Sequence, residues 1–182
     1  MADKDYFVHE TAVVEMGASV GAGTQIWHHG QIRSGAQVGE RCVFGKNVYV
    51  DTGVVIGHCC KLQNNVNVYQ GVTIEDDVFV GPSATFTNDL LPRAFRDDWA
   101  ITPTKVNRGA SVGAHATIVC GITLGSFCMV AAGAIVTRDV EPHQLVVGTP
   151  ARHAGWICQC GNLLYRSDLR PEDFGCERCK SE

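Results

Sequence analysis

Counting by six from Val14 lands on an apolar residue every time: Val14, Val20, Ile26, Ile32, Val38, Phe44, Val50, Ile56, Leu62, Val68, Ile74, Val80 and Phe86. After a break the register resumes at Val106, Val112, Ile118, Leu124, Val130 and Val136. Two residues before most of these stops stands a small or β-branched residue, among them Ala36, Cys42, Val48, Cys60, Ala84, Ala116 and Cys128. The residue after a stop is often glycine, as at Gly21, Gly39, Gly45, Gly57, Gly81, Gly113 and Gly125. A helix repeats near 3.6 and an isolated strand at 2. A period of six instead suits a short strand followed by a corner. Three such sides close a triangular coil of about 18 residues, and coils stack about 4.8 Å apart. The large residue fills the interior of each side, the small one fits beside the corner, and glycine removes the Cβ where the chain turns hard. The expected fold is therefore all-β, a parallel β-helix of about six to seven coils.

A chain of 182 residues holds one domain and a small appendage. Its net charge of −4 supplies no general basic field for nucleic acid. No apolar run reaches the length of a membrane span. The start, Met-Ala-Asp-Lys-Asp-Tyr, has no apolar signal core, which gives the expectation of a cytoplasmic protein. The nine cysteines then read as buried thiols or metal ligands rather than disulfides. Cys42, Cys60 and Cys128 fall on inward small positions, which is packing.

The register divides the chain into a β-helix over residues 1–154 and a cysteine-rich tail over 155–182. It also breaks internally. Phe86 and Val106 are 20 positions apart, which is not a multiple of six, so an excursion of about residues 87–105 leaves one corner. Long loops in tight solenoids are mostly functional. Beside it, positions three after the stops form a column at coil spacing: His29, Asn47, Asn65, Ser83, then His115 and Gly133. A neighbouring column holds His28, Lys46 and Asn64. These columns read either as ordinary solvated polar residues or, together with the loop, as the wall of a cleft on an outward face. In the tail, Cys158 and Cys160 are followed by Cys176 and Cys179. Four thiolates in two close pairs suit tetrahedral structural zinc; the first pair is CxC, one residue short of the usual CxxC. Free thiols are the alternative.

The repeat resembles the left-handed parallel β-helix of the hexapeptide-repeat acyltransferases over about residues 8–150, and the left hand is an implication of that resemblance. The stretches Lys61–Val66, Val68–Val72, Asp77–Pro82, Phe86-Thr87-Asn88-Asp89 and Cys120–Gly125, with Trp27-His28, resemble the nucleotide-sugar N-acetyltransferases. The group acting on UDP-2-acetamido-3-amino-2,3-dideoxyglucuronate is the nearest in pattern; the dTDP-3-amino-3,6-dideoxyhexose acetyltransferases share the Phe-Thr-Asn-Asp core. The resemblance implies transfer of acetyl from acetyl-CoA to a sugar amine during surface polysaccharide (lipopolysaccharide O-antigen) synthesis. It implies a homotrimer with sites between subunits. It assigns Asn88 to catalysis, with His115 as a candidate base, although Asn is expected at 115 in that group. Asn64, Asn65, Tyr69, Arg93, His28 and His29 are the implied nucleotide-sugar contacts. Gly113, Ala131 and Gly133 are implied to line the pantetheine, with Arg138 and Arg152 on the phosphates; Gly148-Thr149-Pro150-Ala151-Arg152 resembles the family's signature for the end of the helix. A γ-type carbonic anhydrase needs a three-histidine zinc site, and the spacing of His28, His29, His58 and His115 does not suit one. A non-catalytic scaffold trimer would need neither the excursion nor the closing signature.

Overall fold

The computed structural model describes residues 5–180, so the reading of the signal-free start lies, for Met1–Lys4, outside the described residues. The chain winds into a three-sided parallel β-solenoid. Face one stacks Phe7–Val8, Gln25–Ile26, Val43–Phe44, Lys61–Leu62, Phe79–Val80, Ser111–Val112, Met129–Val130 and Gln144–Val147. Face two runs from Val13–Val14 to Ile135–Val136, and face three from Ser19–Val20 to Thr123–Leu124. A single bridge, Leu124 to Val140, extends face three into the seventh coil, and Gln144–Val147 begins an eighth. The first coil, opened by Phe7–Val8, starts earlier than Val14, which is why the solenoid is taller than the register alone implies.

Pairing is in register at a spacing of 18 residues, for example Lys61 beside Val43 and Leu62 beside Phe44. Each strand therefore sets one residue inward and one outward. The inward stops form one continuous core: Ile26, Ile32, Phe44, Leu62, Phe86, Ile118 and Leu124 are fully buried. The small positions close the corners between them, and Ala36, Cys42, Cys60, Ala84, Ala116 and Cys128 are buried with them. Cys42 and Cys60 also give their thiols to the carbonyls of Gly57 and Glu75, both at 3.1 Å.

The glycines after the stops do a different job from the one expected. At Gly113 a Cβ would run into the backbone of Ala131 and Ala132 on the next coil, and Gly81 meets Ala114 in the same way. Glycine is needed there because coils approach closely. The hard turn comes two residues later, where most corners hold one left-handed residue. On the corner between faces one and two, these are His29, Asn47, Asn65, Ser83 and His115, with φ between 55° and 62°, and Gly133 at 71°. The column read as an outward polar wall is thus a row of corners. Asn and His sit in it because they tolerate positive φ better than other side chains.

The excursion occupies residues 87–103, since the strand Thr104–Val106 begins two positions earlier than the register suggested. The chain re-enters on face three, where Thr104–Val106 pairs with Val72–Ile74. The tail continues the sheet of face one: Arg152–Ile157 pairs antiparallel with Gln144–Val147, and Leu163–Tyr165 pairs antiparallel with Arg152–Ile157. Face one would otherwise end in an open edge, a liability that this reversal covers. Among the described residues no helix is long and apolar enough to cross a membrane.

Candidate functional site

Two edges of the prism carry the residues singled out by sequence. His28, His29, Asn64, Asn65, Gly113, His115, Ala131 and Gly133 lie along the edge between faces one and two. Tyr69, Asn88, Arg138 and the loop with Arg93 lie along the edge between faces two and three. Within one chain, the full width of face two separates His115 from Asn88.

The second edge has a built electrostatic order. Glu15, Arg33, Asp51 and Tyr69 follow one another at coil spacing, each one residue after an inward stop. Arg33 Nε is 2.6 Å from Glu15 Oε1, and Arg33 Nη1 donates to the Tyr49 hydroxyl at 3.1 Å. That hydroxyl donates to Asp51 Oδ1 at 2.9 Å, and Asp51 Oδ2 accepts the Gln70 amide at 3.3 Å. Hydrogen bonds from the Ser34 amide and Arg33 hold the Glu15 carboxyl below its ordinary range. Burial pushes the Tyr49 phenol up, against the opposing pull of Arg33. The Tyr49 and Tyr69 rings stand 6.0 Å apart. Arg33 and Tyr49 were missed by the sequence reading, although the alternating charge of Glu15, Arg33 and Asp51 at 18-residue steps was visible to the counting that found the corner column.

This belt leads to the loop neck. Asn88 stands one coil above Gln70 and donates its side-chain amide to the Gln70 carbonyl at 3.4 Å. Its own carbonyl accepts the Thr102 amide at 3.0 Å, which closes the neck. The Thr87 hydroxyl accepts the Cys120 amide at 2.9 Å, and Ile101 packs over Gly71. Asn88 is half-buried, and its carboxamide oxygen has no hydrogen-bond partner among the described residues. Beyond the neck, Leu90, Leu91, Phe95 and Trp99 are all exposed, Phe95 by 81%. Asp89, Leu90, Leu91, Arg96, Asp98 and Trp99 enclose much of a recess of about 220 Å³ within the loop. Arg96 is clamped bidentately by Asp98 at 2.6 and 2.7 Å, whereas the Arg93 guanidinium bonds, among the described residues, only the Pro92 carbonyl.

Arg138 occupies the same corner position as Asn88, two coils higher, roughly 10 Å along the axis. It shares a recess of about 200 Å³ with Arg152, His153, Gln144 and Asp139. The two arginines expected on phosphates are thus brought together, while Gly113 and Gly133 lie across face two from Arg138. Gly113 is accounted for by the approach of the next coil, and Gly133 by its φ of 71°. At the other end of the solenoid His28 stacks on His9 at 3.6 Å and lies beside Trp27. Asn64 Oδ1 accepts the Lys46 amide at 2.8 Å, and Asn65 Oδ1 accepts from Asn47 at 3.0 Å, so both asparagines also staple successive coils. In the tail, the sulfur atoms of Cys158, Cys160, Cys176 and Cys179 all lie within 4.8 Å of one another. A bond from the Asn162 side chain, with help from the Cys179 amide, draws the Cys176 thiol down to about 6.

A sequence profile described as the hexapeptide repeat of succinyl-transferase matches residues 35–70 and 103–138. Over those residues the repeat is the hexapeptide repeat. The solenoid is accordingly the left-handed β-helix that this repeat builds. Over 61 residues this hexapeptide-repeat chain is 48% identical to dTDP-3-amino-3,6-dideoxy-α-D-galactopyranose 3-N-acetyltransferase of Aneurinibacillus thermoaerophilus, covering 34% of this chain and 32% of that one. It is 28% identical over 104 residues to galactoside O-acetyltransferase of Escherichia coli, covering 55% of this chain and 51% of that one. The chain spans about a third to a half of the length of these relatives. A hexapeptide-repeat acetyltransferase of Vibrio cholerae, solved with acetyl coenzyme A, superposes with a TM-score of 0.60 at 27% identity, over 67% of this chain and 70% of that one. GDP-perosamine N-acetyltransferase of Caulobacter crescentus, a mutant solved with CoA and GDP-perosamine, gives 0.57 at 20% identity, over 82% and 56%, which speaks to the fold alone.

Proposed function

We propose that this chain is an acetyl-CoA-dependent N-acetyltransferase acting on a nucleotide-linked amino sugar, and that Asn88 positions the reacting amine. The observation that carries this reading is the state of Asn88. The loop neck fixes its backbone, its amide is anchored on Gln70, and its carboxamide oxygen is left to accept an N–H. A neutral amine held this way presents its lone pair to the thioester carbonyl. The nitrogen attacks that carbon, the tetrahedral oxyanion collapses, and the carbon–sulfur bond breaks. The departing thiolate takes the proton released by nitrogen, directly or through His115, and leaves as the free thiol. The relatives support the donor and the acceptor class: one is an amino-sugar N-acetyltransferase and one was solved with acetyl coenzyme A.

The reading requires an assembly. The sugar contacts His28, His29, Asn64 and Asn65 and the pantetheine contacts Gly113, Ala131 and Gly133 lie on one edge. Asn88, Tyr69, Arg93 and Arg138 lie on the other, with Arg152 over the shared recess. A homotrimer that sets the first edge of one protomer against the second edge of its neighbour completes a cleft. The exposed Leu90, Leu91, Phe95 and Trp99 give the loop an apolar surface for that neighbour. Within the acceptor class we propose UDP-2-acetamido-3-amino-2,3-dideoxyglucuronate, used in the cytoplasm for surface polysaccharide. The 48% identity to the Aneurinibacillus enzyme favours a dTDP-3-amino-3,6-dideoxyhexose as the second reading.

The test is thiol release from acetyl-CoA against both sugars and a UDP-4-amino sugar. Release with the glucuronate alone is expected, and Asn88→Ala should lower kcat by about 10²-fold while acetyl-CoA still binds. Release with the dTDP sugar instead would transfer the assignment to the second reading. Silence across the panel with acetyl-CoA bound would sink the substrate class.

A further inference from the structure

The tail contains chemistry that acetyl transfer does not use. Cys158 follows directly on the strand Arg152–Ile157 and is buried, and the turn Cys158–Gly161 is closed by the Gly161 amide on the Cys158 carbonyl at 2.9 Å. Gly161 takes a φ of 88° there, a conformation in which a side chain would be strained. This turn aims both sulfurs of the CxC pair to the same side, so the spacing that looked one residue short still converges. Opposite, Cys176 and Cys179 flank the start of the short helix Glu177–Lys180, joined by the Cys179 amide on the Cys176 carbonyl at 3.1 Å.

The sulfur separations are 3.5 Å for Cys158 and Cys179, 3.4 Å for Cys160 and Cys176, and 3.7 Å for Cys176 and Cys179. Four thiolates about 2.3 Å from one zinc ion stand about 3.8 Å apart. A pair of disulfides would separate the sulfurs into two couples, but Cys176 is close to both Cys160 and Cys179. Asn162 adds an outer hydrogen bond to the Cys176 sulfur at 3.5 Å, the kind of support that orients a metal ligand.

We propose that Cys158, Cys160, Cys176 and Cys179 bind one structural zinc ion, and that this zinc fixes the strand Arg152–Ile157, and with it the Arg138–Arg152 recess, on the last coil. Residues 159–179 have little core of their own: none is fully buried, and apart from Gly161, Leu164, Pro171, Phe174, Gly175 and Cys176 they are exposed. Phe174 stacks on His143 at 4.3 Å and meets Trp156 at 6.0 Å, while Arg170 lies over both Phe174 and Trp156. So small a unit is ordered by its metal. The strand that leads into Cys158 begins with Arg152 and His153 in the recess, and His153 Nε2 lies 2.8 Å from the Ser167 carbonyl of the tail. Loosening the metal end therefore loosens the recess.

Full-length protein purified without added metal should contain one zinc per chain by plasma mass spectrometry. Cys160→Ser and Cys176→Ser should lose it, and Cys128→Ser, in the solenoid core, should keep it. Stripping the zinc should cost hydrogen-exchange protection across residues 152–165 and leave the strands from Ile26 to Phe86 protected. Absence of zinc, iron in its place, a disulfide between tail cysteines by mass, or unchanged exchange after stripping overturns the proposal. Stripping should also weaken coenzyme A binding. That measurement alone rests on the acetyltransferase reading: a wild type that never binds coenzyme A defeats that reading while the metal and exchange results decide this one.

Discussion

Residues of the same type hold different positions here for different physical reasons, and substitution separates them. Gly113→Ala drives a Cβ into the backbone of the next coil, with no flexible side chain to yield, and should cost about 1–3 kcal/mol. Gly133→Ala meets nothing within 4 Å and should cost only the left-handed backbone conformation, about 1 kcal/mol. Denaturant midpoints of the two variants should rank in that order; equal midpoints would mean that coil contact is not what selects glycine after the inward stops. The corner column gives a complementary probe. Asn65 sits at a φ of 62° and bonds Asn47, so Asn65→Gly keeps the corner and removes only the side chain. A loss of turnover in Asn65→Gly at unchanged thermal stability reports substrate contact, whereas Asn65→Ala would confound contact with backbone strain.

At the scale of elements, the solenoid and its excursion are separable. The distance from Phe86 to Val106 is 20 positions against the six of an uninterrupted side, an insertion of 14. The pairing of Thr104–Val106 with Val72–Ile74 is the one that an uninterrupted coil would make. Removing 14 residues between Asn88 and Pro103 should leave a β-helix with native far-ultraviolet circular dichroism and abolish acetyl transfer. Failure to fold would show that the neck bond from Thr102 to Asn88 is needed to complete the fifth coil. The contrast between coil and loop also explains what was legible in sequence. The inward stops, the small corner residues and the break all follow from one short-range period, so Phe44, Cys42 and the excursion could be read directly. The conformation of the loop and the clustering of Arg138 with Arg152 depend on long-range closure that no local period encodes. The corner column was visible but misassigned, because periodicity reports which residues align and not whether they sit on a flat face or a turn. The cysteine tail was legible as two close pairs of thiols, while the convergence of its CxC pair depends on the turn at Gly161.

At the scale of the molecule, a three-sided prism can place two sets of residues on different edges and never bring them together within one chain. His115 and Asn88 are in that position. If a single chain were sufficient, each variant would be defective by itself and a mixture would be no better. If neighbouring protomers complete the cleft, a protomer carrying Asn88→Ala still offers an intact first edge, and one carrying His115→Ala still offers an intact second edge. Where the two meet in the right order, one cleft is whole. A cyclic arrangement creates such clefts in every mixed assembly, because each interface joins two different surfaces. Co-refolded or co-expressed Asn88→Ala and His115→Ala chains should therefore recover acetyl transfer that neither shows alone, and light scattering should give the mass of three chains. The comparison has meaning only if His115→Ala is itself impaired. If it is not, Gly133→Arg takes its place, filling the same edge from an open position. A mixture that stays inactive while the assembly is trimeric would place both halves of the reaction within a single protomer's reach and remove the intersubunit cleft from the mechanism.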